Sequence, residues 1–249
     1  CGFCAFAKGR SARAMRGPAY DLDHAEIAAR VREAAAREKL WIHLGSLPLK
    51  DERTDGRLAN RSFLIDDSGE IRARYDKIHL FDVDLPTGES LRESHAYQGG
   101  TAAVLAETPL CRIGLTICED LWTHPSLSTR RLYHGLDPVR QLAGQHCDLI
   151  VNLSASPWHC DKGSVRHTLV TDAARTAGCP VVYVNAVGGN DELIFDGRSL
   201  VADGTGRIAA GLAAFAEDLR IVEVAPGRAG GPADSVIAPT FNQPEMADI

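Results

Sequence analysis

Three apolar runs of strand length, CRIGLTIC (111–118), CDLIVNLSA (147–155) and PVVYVNAVG (180–188), alternate with two segments of helical character, 134–146 and 163–178. Strands joined through helices read as β-α-β crossovers, and the helices must then cover a face of the sheet. This alternation constrains the chain more than any other feature: it sets an α/β class with no interior linker. Upstream, LDHAEIAARVREAAARE (22–38) places Ile27, Val31 and Ala34/Ala35 at helical spacing, with Asp23 as N-cap and Glu26 three residues later. A strand, WIHLGSLPL (41–49), follows, and then RSFLIDD and EIRARYDKIHL form a hairpin across Ser68-Gly69. Residues 81–100, FDVDLPTGESLRESHAYQGG, have turn chemistry and no period, and read as a long functional loop. TAAVLAETP is a strand, and the next one places Cys111, Ile113, Leu115 and Ile117 on one face. GRSLVADGTGRIAAGL pairs across Asp203-Gly204, and LRIVEVAP (219–226) reads as a last strand. The expected organisation is one domain over 1–226 and an extended Gly- and Pro-rich tail over 227–249.

Bulk properties exclude several partners. The net charge of −6 argues against nucleic acid or an anionic membrane surface. No apolar run approaches the roughly 18 residues of a membrane span. The opening CGFCAFAKGR has neither an initiator methionine nor the apolar core of a signal peptide, so the start reads as that of a truncated or processed chain. Seven cysteines scattered through strands and helices fit reduced thiols and a cytoplasmic location. CGFC lacks the preceding strand a redox motif needs, and His159, Cys160 and His167 lack the paired spacing of a zinc site. No metal and no cofactor are expected.

Two stretches carry chemistry. ICEDLW (117–122) places Cys118 at a strand end, directly before Glu119 and Asp120. Adjacent acids disfavour a thiolate, and a lone strand-end cysteine is more often structural than reactive. Strand alternation, however, sends Glu119 to the face opposite Cys118. RYDKIHLFD (74–82) sets Lys77 at another strand end between Tyr75 and Ile78, where an ammonium reaches water poorly and seeks an anion. A snorkelling surface lysine is the plainer reading of that stretch alone.

Together YDKIHLFD and, roughly forty residues later, GLTICEDLW resemble the nitrilase (carbon–nitrogen hydrolase) superfamily, over residues 38–224. The resemblance implies a four-layer α-β-β-α sandwich of the nitrilase type, here without its first strands, and a homodimer or higher homo-oligomer. It implies a small-molecule amide substrate and an acyl-enzyme on Cys118, with Lys77 stabilising the oxyanion. Glu93, in LRESHAY, matches a second glutamate that supports the family's Glu-Lys-Cys triad. From Cys118 onward, CEDLW, NLSASPWHCDKG and VYVNAVGGNDELIFDGRSLV are similar to the glutaminase domain of glutamine-dependent NAD synthetases. By that likeness Glu119, Ser156 and Lys162 are candidate substrate-binding residues, Gly188-Gly189 form a tight turn, and Asp191 and Glu192 are loop acids near the site. The first half is closer to ω-amidase-like members, and Val83 stands where the synthetase domains carry a tyrosine six residues after the lysine.

The family's general base lies in a Pro-Glu motif, but the first glutamate of this chain is Glu26, within the expected helix. Three alternatives follow: a chain that begins after that motif, a replaced base, or a non-catalytic relative. The expected activity is a thiol-dependent amidase or glutaminase that releases ammonia from glutamine or a related ω-amide. The other expectation is a catalytically impaired binding or structural subunit.

Overall fold

The computed structural model describes residues 23–50, 55–84, 90–123, 133, 135–190 and 193–227. Helix α1 (His24–Glu38) begins where the sequence places it, with the Asp23 side chain accepting the Glu26 amide at 2.7 Å. It packs on a sheet of β1 (Ile42–Lys50), β2 (Leu58–Ile65) and β3 (Ile71–Asp76), in antiparallel order β1-β2-β3. Alternation along β2 divides its side chains. Phe63 and Ile65 face α1 with Ala35, while Leu64 joins Tyr75, Leu115 and Ile117 in a separate core.

That second core lies between two sheets. The larger sheet has six strands, in the order β14-β13-β10-β9-β8-β7. Its centre is parallel: β8 (Arg112–Ile117), β9 (Leu149–Ser154) and β10 (Val181–Asn185) run together, as the β-α-β alternation requires. Antiparallel strands flank them, β7 (Val104–Glu107) on one side and β13 (Leu200–Ala202) with β14 (Ile208–Gly211) on the other. Helices α2 (Pro138–Gly144) and α3 (Lys162–Ala177) cover the outer face through Leu142, Ile150, Val170, Ala174 and Val181. The layers are therefore helix, sheet, sheet, helix.

Several expectations need correction. Helix α2 spans Pro138–Gly144, because Asp137 caps it at Arg140 N and Pro138 fits the first turn. The segment 81–100 is not a plain loop. It contains the hairpin β4 (Asp82–Asp84) and β5 (Ser90–Arg92), a 3-10 turn Glu93–His95, and β6 (Tyr97–Gln98), which runs parallel to β2. Strands of two or three residues are too short to show a period. Gly188 and Gly189 lie within β11 (Val187–Asn190), paired with β12 (Leu193–Asp196), instead of forming a turn. Residues 219–226 pair with no strand among the described residues, and Leu219 and Ile221 are exposed. The CGFC stretch, Asp191, Glu192 and the tail from 228 lie outside the described residues.

One buried histidine gives the fold a pH signature. His43 on β1 has Nε2 3.0 Å from Ser62 Oγ, its Nδ1 is buried without a partner, and burial lowers its pKa to about 4. The unfolded chain takes up a proton at this histidine near pH 6.5, and the folded protein does not until about pH 4. Stability is present above the first value and is lost as pH falls towards the second. Discounted for the partial exposure of the residue, the loss is on the order of 2 kcal/mol. Urea midpoints at pH 7 and pH 4.5 are expected to show it, and His43→Gln is expected to flatten it.

Candidate functional site

The site lies where the ends of β3 and β8 meet between the sheets. Strand β8 ends at Ile117, and Cys118 leaves it with φ of +46° to open a 3-10 turn, Cys118–Leu121. A cysteine in that conformation is strained and persists only where its surroundings hold it. Asp120 supplies the hold. Its carboxylate accepts from Ile117 N at 2.7 Å, Tyr75 Oη at 2.7 Å, His79 N at 2.9 Å and Ile78 N at 3.2 Å. One buried acid thus ties the strand leading to Cys118 to the turn that carries Lys77. Asp120 was not singled out from sequence, although an acid two residues after a strand-end cysteine is placed to cap the turn there.

Lys77 follows β3 directly and is 3% exposed, with Nζ 2.5 Å from Glu93 Oε2. Glu93 also accepts from Phe81 N at 2.7 Å and Asn60 Nδ2 at 2.8 Å. Burial pushes Lys77 down, but Cys118, Glu93 and Glu119 outweigh it and hold the ammonium above its ordinary value. Burial pushes Glu93 up, and the Lys77 charge with three hydrogen bonds brings it below the usual carboxylate range. The backbone around Lys77 leaves no slack: Gly100 N donates to Lys77 O at 2.8 Å, and a Cβ on Gly100 would stand 2.2 Å from Asp76 O. Gly100→Ala is expected to cost about 2 kcal/mol in a urea titration, because backbone must move to admit the methyl group.

The expectation for Glu119 is overturned. It does not face away from Cys118, because the chain has left strand geometry at the cysteine and alternation no longer applies. Glu119 is fully buried beside the cluster, accepts from Tyr133 Oη at 2.6 Å, and is raised by burial against the opposing charges of Lys77 and Lys162. Tyr133 stacks on His79 at 4.4 Å. The Cys118 thiol is pushed up to about 11, mainly by burial, with Lys77 and Lys162 pulling it down and Glu119 pushing it up.

The other two candidates are not surface residues. Lys162 opens α3, is buried, and holds Nζ 4.5 Å over the Trp122 ring; burial lowers it, partly offset by Glu119 and Cys118. Ser156 is buried after β9, with its amide donating to Asn185 Oδ1 at 2.9 Å and its hydroxyl without a partner. Lys77, Glu93 and Cys118 open onto a cavity of about 590 Å³, walled also by Gly45, Asn60, Tyr97, Leu153 and Val184. Glu119, Ser156 and Lys162 stand beside this cavity and do not line it, although Ala155 and Pro157 around Ser156 do.

A four-layer sandwich with a cysteine, a lysine and a glutamate gathered between its sheets is the architecture of a carbon–nitrogen hydrolase. The chain belongs to that family: the Carbon-nitrogen hydrolase profile matches residues 12–231. Its members hydrolyse carbon–nitrogen bonds other than peptide bonds. The glutamine-dependent NAD(+) synthetase of Synechocystis is 35% identical over 166 residues, 67% of this chain and 28% of that protein. The deaminated glutathione amidase of Yersinia enterocolitica is 45% identical over 92 residues, 36% of this chain and 32% of that one. The solved glutamine-dependent NAD+ synthetase of Acinetobacter baumannii superposes with a TM-score of 0.59 at 28% identity, covering 76% of this chain and 33% of that one. The chain therefore spans about a third or less of these relatives. Among the described residues no helix is long and apolar enough to cross a membrane.

Proposed function

We propose that the chain is a thiol-dependent amide hydrolase that releases ammonia from glutamine or a related ω-amide. The observation that carries this reading is the buried Lys77 ammonium, held at 2.5 Å by Glu93 and coupled electrostatically to Cys118. In this scheme Cys118 Sγ attacks the amide carbon and Lys77 offsets the oxyanion. The thiol proton passes to the general-base carboxylate that the family's Pro-Glu motif supplies, a part Glu93 does not take. Collapse breaks the C–N bond, the carboxylic acid protonates the departing ammonia, and water then hydrolyses the thioester. Glu93 is committed to Lys77 and two further donors, so its part is to hold the ammonium in place. Lys162 and the unpartnered Ser156 hydroxyl lie behind the cavity wall at Ala155 and Pro157. By chemistry they suit the charged end of an amino-acid amide, the lysine as a point charge for a carboxylate, and that end must displace the wall to reach them.

A second reading has its own observation. With the thiol pushed up to about 11, Cys118 is protonated at neutral pH, and without a base to take its proton the domain would bind and not turn over. Ammonia release from glutamine and from 2-oxoglutaramate separates the two. The amidase reading expects release by the wild type and none by Cys118→Ala. Equal silence at high enzyme concentration would sink it and leave a binding or structural subunit.

A further inference from the structure

We propose that the buried Arg166–Asp196 ion pair, together with Asn185, is a positioning device that fixes Ser156 and Lys162 for the charged end of the substrate. The proposal rests on the reading that those two residues meet that end. Arg166 lies one turn after Lys162 on α3 and is 1% exposed. Its Nη1 donates to Asp196 Oδ2 at 2.9 Å, and its Nη2 stands 2.6 Å from Oδ1 as an ion-pair contact, leaving Oδ1 without a hydrogen bond. The same Nη2 reaches Ser156 O at 3.3 Å. Asp196 ends β12, is 0% exposed, and has Arg198 Nε 3.3 Å from the same Oδ2 as a second ion-pair contact. From β10, Asn185 accepts the Ser156 amide at 2.9 Å and donates through Nδ2 to Gly197 O at 2.9 Å. Ser199 Oγ in turn accepts the Asn185 amide at 3.0 Å.

Ser156 is therefore gripped at both backbone atoms, by Asn185 on one side and Arg166 on the other. Its hydroxyl is left over, buried and without a bond. The Tyr183 hydroxyl lies within hydrogen-bonding range of the Ser156 and Ser154 hydroxyls, but at angles that leave both Tyr183 Oη and Ser156 Oγ without a well-formed bond. A buried serine whose backbone is fully paired and whose hydroxyl is not is primed for a ligand atom. Residues 155–159 belong to no helix or strand, so nothing regular fixes that hydroxyl. The ion pair does so, and because Arg166 shares a helix face with Lys162, it sets the lysine by the same contact. Replacing a buried ion pair with apolar residues of similar volume is commonly neutral for stability, so stability alone does not account for the pair.

The test measures covalent labelling of Cys118 in the full chain, read by intact mass, and needs no turnover. One reagent is the diazoketone analogue of glutamine, which carries the α-amino acid end. Its diazo carbon takes up the thiol proton, dinitrogen leaves, and a thioether forms. The other reagent is iodoacetamide, which lacks that end. In the double variant Arg166→Met with Asp196→Leu, the diazoketone-to-iodoacetamide rate ratio is expected to fall about thirtyfold, with the iodoacetamide rate within about twofold of wild type. Arg166→Lys keeps a cation opposite Asp196 and the fold with it, but one ammonium cannot reach both the Asp196 carboxylate and the Ser156 carbonyl as the two ends of the guanidinium do. It is expected to lower the ratio by a smaller factor, which keeps the proposal testable if the double variant fails to fold. An unchanged ratio in a folded Arg166 variant, or two rates that fall together, overturns the positioning role. If Ser156→Ala and Lys162→Met also leave the ratio unchanged, the reading of the substrate's charged end fails as well. If they lower it while the Arg166 variants do not, only the positioning role fails.

Discussion

Exchanging Lys77 for methionine is expected to slow iodoacetamide labelling of Cys118 at least about tenfold and to lower any amidase turnover by about 1000-fold. Methionine fills similar space, so the loss is that of the charge. Lys77 is the foremost of the charges that pull the Cys118 thiol down from the level burial alone would set, and without it the thiol moves further above about 11. The stability effect is separate. Glu93 would remain buried with Phe81 N and Asn60 Nδ2 but without a cation, and breaking one side of a buried pair costs about 3–5 kcal/mol.

The pH dependence identifies the cause. In the wild type the folded Glu93 sits below its ordinary 4.5, so its contribution is present above 4.5 and lost as pH falls through the lowered value. Lys77 sits above its ordinary 10.5, so its contribution is present below 10.5 and lost as pH rises through the raised value. In Lys77→Met, burial without the cation raises Glu93, and the sign inverts. The variant is expected to lose stability as pH rises from 4.5 towards neutrality, where the wild type gains or holds. Adding Glu93→Leu is expected to restore stability while labelling stays slow. A single variant that labels at the wild-type rate would remove Lys77 from the site.

What the sequence revealed follows the range of the forces involved. The β-α-β alternation is a local pattern of apolar residues, and β8, α3 and β9 lie within a residue or two of where that pattern puts them, while β10 stops at Asn185, three residues before the expected end, and the chain continues into β11. The Lys77–Glu93 contact spans only 16 positions, yet it depends on the β4–β5 hairpin, whose strands are too short to announce themselves. Resemblance to the family supplied Glu93; periodicity could not. The misplacement of Glu119 has a single cause, the positive φ of Cys118, which nothing in ICEDLW encodes on its own. That φ is a product of tertiary contacts made by Asp120. The opposite error appears at LRIVEVAP, where apolar alternation gives a strand on propensity, and sheets need a partner as well as propensity.

Asp120→Ala is expected to destabilise the fold as much as losing the Lys77 charge does, by about 4 kcal/mol, or roughly 10 °C in the melting midpoint. The reason is the count of donors that it strands. Ile117 N, Ile78 N, His79 N and the Tyr75 hydroxyl all give to this one carboxylate, and Tyr75 and His79 are buried where water cannot replace it. Asp120→Asn is the sharper probe. It keeps the size and one acceptor oxygen but turns the other into a donor that faces donors, so it is expected to cost about half as much. Asp120→Ala should also release the strain at Cys118, since the bond that pins Ile117 N against the turn is gone, whereas the remaining oxygen of Asp120→Asn can keep it. The strand can then extend through the cysteine, swinging Glu119 towards the opposite face and away from Lys162. Loss of the 2.6 Å Tyr133–Glu119 bond would expose the Tyr133 ring, which ultraviolet difference absorption can follow. A folded Asp120→Ala whose midpoint lies within about 2 °C of wild type would show that the two strand ends are joined by something other than this carboxylate.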